Sequence, residues 1–133
     1  MRTPRSPQRG KARRSVSVPL SVKLPPKRIR EKFLIVYELE GCQKAVNYIS
    51  KYYRVRRMRI TLNGKRVRKG WVAWYDENQA CFKKEGLKKQ TVLHEVYHHL
   101  VASKEVEIAI RTEEREANIF SREFLRPVSK ISL

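Results

Sequence analysis

The feature that most constrains this chain is the stretch 91–101, in which two histidines lie four residues apart and a glutamate directly follows the first. On an α-helix, residues four apart share a face, so His94 and His98 can present both imidazoles to one ion. The mostly uncharged residues around them predict a helix that is buried on most sides. The pattern H-E-x-x-H is typical of a Zn²⁺ site in which the glutamate takes a proton from a metal-bound water. We therefore predict a zinc-binding helix with Glu95 as the general base.

The two histidines fill only half of a tetrahedral zinc shell, so a further ligand must come from elsewhere in the chain. All three histidines of the chain lie in this one stretch. The third, His99, points about 100° away from His98 around the helix, which favours a packed or surface position over a ligand.

A second helix is predicted after a break near Ser103. Thr112 is a candidate N-cap, although the helix could begin as early as Lys104, and Pro127 is expected to end it. An apolar stripe on this helix consists of Ala117, Phe120 and Phe124. Glu114 follows His98 by sixteen residues and lies on a different face. Two histidines and one carboxylate would leave the fourth zinc position open to water, as catalytic sites require.

The residues before the zinc helix predict a small sheet and one more helix, and hence an α+β fold. Apolar residues at three- and four-residue spacing predict an amphipathic helix over 42–53. Strands are predicted at 33–39, 57–62, 71–75 and 80–83, with a hairpin at Asn63-Gly64 and a polar turn at 76–78. The sheet should therefore have three or four strands.

Composition divides the chain into a basic arm, residues 1–30, and a folded domain, residues 31–133. The arm has ten Lys or Arg, no Asp or Glu, and five of the six prolines, so it buries too little apolar surface to offset the entropy of ordering. Residues 16–24 alternate like an edge strand that Pro19 interrupts. The arm is expected to be a flexible tether for nucleic acid or a solvated tail.

A second basic segment, residues 51–69, has nine Lys or Arg, no acidic residue and several aromatic neighbours. With a formal net charge of +18 for the whole chain, it favours nucleic acid as a partner. The alternative is a solvated face whose long side chains cover apolar surface.

The sequence predicts no membrane partner and a cytoplasmic location. Its longest strongly apolar run, residues 33–37, is far shorter than the roughly 20 residues that span a bilayer, and the basic N-terminus lacks the apolar core of a secretory signal. Cys42 and Cys81 are expected to be buried thiols, although the sequence leaves a disulfide between them open.

The run Glu114-Arg115-Glu116-Ala117-Asn118-Ile119-Phe120, followed by Leu125 and Pro127, resembles the second motif of the ImmA/IrrE-type gluzincin metallopeptidases. In that family E-x-x-A-N-x-F and a later L-x-P follow an H-E-x-x-H helix, and Thr91-Val92-Leu93-His94-Glu95 is similar to the first motif. The resemblance covers roughly residues 81–127. It implies a minimal single-domain zincin core.

By position, the resemblance implies a zinc peptidase with His94 and His98 as ligands, Glu95 as general base and Glu114 as third ligand, and Glu113 and Glu116 compete for that last role. Asn118 would hydrogen-bond a ligand and fix its orientation.

Tyr97 departs from the family, which often has glycine there, and its side chain is expected to narrow the cleft or to place its hydroxyl in it. Arg111, Arg115 and Tyr97 are candidates for stabilising an oxyanion.

The expected substrate is a protein or peptide that pairs with an edge strand at 80–83. The family implies limited proteolysis of a DNA-bound regulator. The rival interpretation is a basic nucleic-acid-binding protein with a structural or inactive metal site.

Overall fold

Four helices and three short strands make up the described part of the chain, so the predicted α+β class is confirmed. The computed structural model describes residues 20–62, 65, 67, 69–83 and 88–126. The elements in chain order are α1 (Lys27–Glu40), α2 (Cys42–Tyr53), β1 (Arg59–Leu62), β2 (Ala73–Asp76), β3 (Gln79–Phe82), α3 (Lys89–Ser103) and α4 (Ile110–Phe124).

The three strands form one mixed sheet in the order β1-β3-β2. β3 pairs in parallel with β1 and antiparallel with β2. The hairpin between β2 and β3 turns through Glu77 and Asn78, whose φ angles of 46° and 65° are both positive, as a type I′ turn requires. The polar turn predicted at 76–78 is therefore confirmed.

The prediction that 80–83 forms an edge strand is wrong, because β3 lies at the centre of the sheet. Its residues Ala80, Cys81 and Phe82 are all buried, as expected for a strand that is covered on both faces. Asn63 and Gly64 lie outside the described residues. The strands on either side of them, β1 and β2, are separated by β3 and do not pair with each other.

The predicted strand at 33–39 is also wrong, because these residues belong to α1. Phe33 and Val36 point into the core at a helical spacing, while Ile35 and Leu39 remain 54% and 79% exposed. The Phe33 ring packs edge-on against Phe124 of α4 at 5.0 Å. Packing on one helical face thus overrides the β propensity of the run. The predicted helix at 42–53 is confirmed as α2.

The folded part of the chain begins earlier than the predicted boundary between residues 30 and 31, which falls inside α1. Val22 is buried, and the backbone of this segment is held by side chains: the Tyr53 hydroxyl donates to the Lys23 carbonyl and Arg30 Nε donates to the Pro25 carbonyl. Residues 20–24 form no strand, and the rest of the alternating run at 16–24 lies outside the described residues, as does all of 1–19.

Helices α3 and α4 pack against each other and bring the two sequence motifs together. The break predicted near Ser103 is where α3 ends, and Glu105 then takes a left-handed φ of 53° while Val106 N–H bonds back to the Val101 carbonyl. Ala109 occupies the N-cap position of α4, so the prediction of Thr112 as N-cap is wrong. Pro127 lies outside the described residues. The predicted stripe on α4, Ala117, Phe120 and Phe124, is buried.

None of the helices described combines the length and apolar character that a bilayer crossing requires. Cys42 and Cys81 are both free thiols, the first half-buried and the second buried.

Candidate metal centre

Three side chains predicted as ligands converge where α3 faces the first turns of α4. The Nε2 atoms of His94 and His98 lie 3.1 Å apart. Glu114 places one carboxylate oxygen 3.2 Å from His94 Nε2 and the other 2.7 Å from His98 Nε2. His94 and His98 are largely buried, whereas the Glu114 side chain is 53% exposed. The sequence-predicted trio therefore forms one cluster of donor atoms.

The spacing of these donors fits a small divalent cation. In a tetrahedral zinc site with bonds of about 2.0–2.1 Å, neighbouring donor atoms lie about 3.3 Å apart. The two Nε2 atoms, 3.1 Å apart, are close to that value, as is each of them to its nearer oxygen of Glu114, and with one oxygen taken for Glu114 the three donors lie within 4.8 Å of one another. Two imidazoles with one carboxylate are common zinc ligands. His94, His98 and Glu114 could therefore hold Zn²⁺ with little movement.

Glu113, which competed for the role of third ligand, instead contacts the outer nitrogen of a histidine. Its carboxylate lies 2.5 Å from His98 Nδ1. An Nδ1–H that donates to Glu113 leaves the lone pair of Nε2 free to bind a metal. The Asn118 side chain lies beside His94, where the resemblance implies a residue that orients a ligand.

Glu116, the other competitor, faces away from the histidines and into the protein. Its carboxylate accepts hydrogen bonds from the Tyr97 hydroxyl at 2.6 Å and from the backbone N–H and hydroxyl of Ser21. Tyr97 is fully buried and also accepts the Val22 N–H. The expectation that Tyr97 narrows the cleft or supplies a polar group there is therefore wrong, because its side chain holds the segment that precedes α1.

The predicted general base, Glu95, is buried beside the cluster and has an unusual acidity. Burial raises its pKa to about 7, an effect that the Glu114 charge increases and His98 opposes. A carboxyl group with a pKa near neutrality can both accept and return a proton. Burial and the nearby His98 lower the pKa of His94, which favours the neutral imidazole that binds metals.

A cleft runs along β2 and passes over His94 and Glu95. It consists of a cavity of about 620 Å³ on the side of His98 and one of about 450 Å³ on the side of Asn118, and both are lined by His94, Glu95, Trp71 and Ala73. The walls of this cleft were not predicted from the sequence. Their signal was the aromatic-rich run at 71–75, in which the exposed Trp71 precedes the edge strand β2 and Trp74 lies within it.

His99 does not join the cluster, in agreement with its predicted packed position. It is buried, its Nδ1 lies 2.9 Å from the Tyr75 hydroxyl and its Nε2 lies 2.5 Å from the Arg56 carbonyl. The carbonyl can only accept, so Nε2 carries the proton and Tyr75 donates to Nδ1. Burial lowers the pKa of His99, which keeps it neutral. His99 thus connects α3 to β2 through Tyr75 and to the residues after α2 through Arg56.

The candidates for oxyanion stabilisation are not brought to the cluster. Tyr97 is a buried residue of α3 whose hydroxyl contacts Glu116. Arg111 and Arg115 are exposed, and neither lines the two cavities of the cleft.

Comparisons with protein-family models, with curated proteins and with solved structures found no match to this chain. The chemistry of the site is therefore inferred from its own residues and their geometry.

Proposed function

We propose that this protein is a small zinc-dependent metallopeptidase of the ImmA/IrrE-like zincin type, which hydrolyses peptide bonds. One observation carries the proposal: the donor atoms of His94, His98 and Glu114 converge beside the buried carboxyl group of Glu95, in the floor of a cleft. The motif order along the chain, an H-E-x-x-H helix followed by E-x-x-A-N-x-F, supports the same class of enzyme.

The residues around the cluster have separate roles in hydrolysis. Zn²⁺ held by His94, His98 and Glu114 would polarise the scissile carbonyl and acidify a water molecule. Glu95 accepts the proton of the attacking water and later delivers it to the leaving amine. Glu113 holds the tautomer of His98, and Asn118 orients His94.

The cleft favours an extended polypeptide as substrate. β2 lies at the edge of the sheet and lines the cleft, so an extended chain can add to it as a further strand. Trp71 and Ile110 are 48% and 82% exposed at the cleft, and Trp74 lines it beside them. These surfaces suit apolar side chains of the substrate.

The rival function, a nucleic-acid-binding protein with a purely structural metal, fits the cluster less well. A structural zinc is normally closed by a fourth protein ligand, commonly a cysteine. Both thiols of the chain are engaged elsewhere: Cys81 contacts Thr61 and Gln79, and Cys42 contacts Tyr37. A three-ligand cluster that opens on a cleft is the arrangement of a catalytic site.

The test compares wild type with Glu95→Gln in metal content and in cleavage of a denatured protein library. Glu95→Gln should keep its metal and lose activity by about 10²-fold or more, because it removes a general base and no ligand. Glu107→Gln, at an exposed carboxylate between α3 and α4, is the control and should behave as wild type. A Glu95→Gln protein that binds zinc and cleaves as fast as wild type would refute the proposal.

A further inference from the structure

The last turn of α2 and the residues that follow it carry five cationic side chains within nine residues. Lys51, Arg54, Arg56, Arg57 and Arg59 are all exposed, and we call them the cationic ledge. The sequence has no Asp or Glu between residues 41 and 75. The ledge is therefore a run of positive charge within the sequence, and the exposed Glu77 of the turn between β2 and β3 is its acidic neighbour in space.

The backbone of the ledge is fixed at several points, although its side chains are exposed. The Val55 N–H bonds to the Ser50 carbonyl, and the Arg59 N–H bonds to the Asn78 carbonyl at 2.8 Å. His99 of α3 donates a hydrogen bond to the Arg56 carbonyl. Because the backbone is ordered before any ligand arrives, little further backbone entropy is lost when the side chains bind.

The charges of the ledge lack acidic partners in the part of the chain that the structure describes. The ion pairs of Lys and Arg found there join Lys89 to Glu38, and Arg122 and Arg126 to Glu123. Four guanidinium groups within six residues repel one another, and this repulsion raises the free energy of the unliganded protein. A polyanion bound to the ledge would relieve it.

The shape of the ledge suits phosphate groups. Arg56, Arg57 and Arg59 line a concavity of about 380 Å³ together with Gln43 and Asn47. Guanidinium groups bind phosphate oxygens with two parallel N–H donors, and they are preferred where such planar recognition matters. The Asn47 amide can add a neutral donor beside them, whereas both hydrogens of the Gln43 amide are already donated, to the Asn47 side chain and to the Met58 carbonyl.

The ledge adjoins the cleft. A cavity of about 480 Å³ is lined by Arg54 and Arg56 on one side and by Tyr75 and Ala102 on the other, and the last two residues also line the cleft. Glu77 is the acidic residue in its wall. A ligand on the ledge would therefore lie next to the end of the cleft that Tyr75 forms.

We propose that the cationic ledge binds the phosphate backbone of a nucleic acid and holds it beside the cleft. Nucleic acid is favoured over an acidic peptide because the ledge is rich in arginine and because the net charge of +18 far exceeds what a short acidic segment would neutralise. This binding needs neither a metal ion nor hydrolysis, so it can be tested apart from the proposed peptidase activity.

The experiment measures binding of the full chain to a labelled 20-base-pair duplex by fluorescence anisotropy across a series of salt concentrations. The test variant replaces the four arginines of the ledge by glutamine. The control variant replaces four exposed cations elsewhere, Arg28, Lys32, Lys44 and Lys104, and loses the same formal charge. Thermal melts of both variants check that they fold. If the fourfold ledge variant has a lowered melting temperature, the double variants Arg54/Arg57→Gln and Arg56/Arg59→Gln are used in its place.

The ledge variant should bind the duplex at least about tenfold more weakly at physiological salt, and its salt slope should fall by about 0.9 for each phosphate group that the protein no longer neutralises. The control variant should remain close to wild type. Equal weakening in both variants, or wild-type binding and slope in the ledge variant, would overturn the proposal. A competition experiment gives a further outcome that would overturn it. If polyglutamate displaced the labelled duplex as effectively as an equal charge of unlabelled duplex does, the ledge would be a site for acidic polypeptides.

Discussion

The hydroxyl of Tyr97 lies 2.6 Å from a carboxylate oxygen of Glu116, and this contact joins α3 to α4 on the side away from the metal cluster. The same hydroxyl accepts the Val22 N–H, and Glu116 also receives two hydrogen bonds from Ser21. One tyrosine and one glutamate thus fasten the residues before α1 to the two helices that carry the site.

Replacing Tyr97 by phenylalanine should lower the free energy of unfolding by about 1–3 kcal/mol, because it leaves the buried Val22 N–H and the Glu116 carboxylate each short of a partner. Chemical denaturation measures this decrease, and faster amide exchange at Val22 would locate it. Tyr48→Phe, at a half-buried tyrosine of α2, is the matched control. A Tyr97→Phe protein with wild-type stability would show that the hydrogen bond contributes nothing.

Glu114 and Glu116 should respond oppositely to substitution. Glu114→Ala should weaken zinc binding by more than about 100-fold, since it removes a ligand, and it should change stability of the apo-protein little because the side chain is 53% exposed. Glu116→Gln should keep zinc and lose stability, because its carboxylate is buried among hydrogen-bond donors. Competition with a chromophoric chelator measures the affinities. Retention of zinc by Glu114→Ala would exclude it as a ligand.

Glu113→Gln should have an intermediate effect on the metal. An amide is a weaker acceptor for the Nδ1–H of His98 than a carboxylate, so zinc affinity should fall by about 10- to 100-fold without being lost. Glu107→Gln serves again as the control, measured by the same chelator competition. If Glu113→Gln abolished binding while Glu114→Ala did not, the third ligand would be Glu113.

The protein should lose stability at high pH through Tyr53. Burial raises the pKa of Tyr53 above its ordinary value of 10.0, and the neighbouring Tyr52 and Tyr97 add to the effect. Since the unfolded chain ionises near pH 10 while the folded protein keeps the proton, the unfolded state binds fewer protons and stability falls as pH rises above that value.

In Tyr53→Phe the free energy of unfolding should fall less steeply with pH, by up to about 1.4 kcal/mol per pH unit. Near neutral pH the variant should be about 1 kcal/mol less stable than wild type, because it lacks the hydrogen bond to the Lys23 carbonyl. Denaturation curves at pH 8 to 11 provide the comparison. An unchanged slope in Tyr53→Phe would exclude this residue as the cause.

The helices of the site could be predicted from sequence because their signals are local. The spacing of His94 and His98 places both on one face, and the amphipathic pattern of α2 indicated its bounds at Cys42 and Tyr53. The choice among Glu113, Glu114 and Glu116 followed from the angular spacing of a helix and the resemblance, and the three carboxylates have distinct partners in the structure.

The strands predicted at 57–62, 71–75 and 80–83 correspond to β1, β2 and β3, but their order could not be predicted because it depends on contacts between distant residues. Asn63-Gly64 suggested that β1 would pair with the next strand, yet β1 pairs in parallel with β3. The apolar run at 33–39 has a β signal of the right length, whereas the structure buries Phe33 and Val36 on one helical face, with the Phe33 ring against Phe124 of α4. The cleft walls depend on that same strand order and were missed with it.

The side chain of Gln43 makes the two edge strands of the sheet, β1 and β2, differ in the backbone groups that they expose. Its amide accepts the Ile60 N–H and donates to the Met58 carbonyl, so it takes up the peptide groups that β1 would otherwise offer to an incoming chain. Another polypeptide is thus discouraged from joining the sheet along β1, where it would give rise to aggregates. The proposed addition of a substrate strand would then take place at β2, the edge that faces Glu95 and the two histidines.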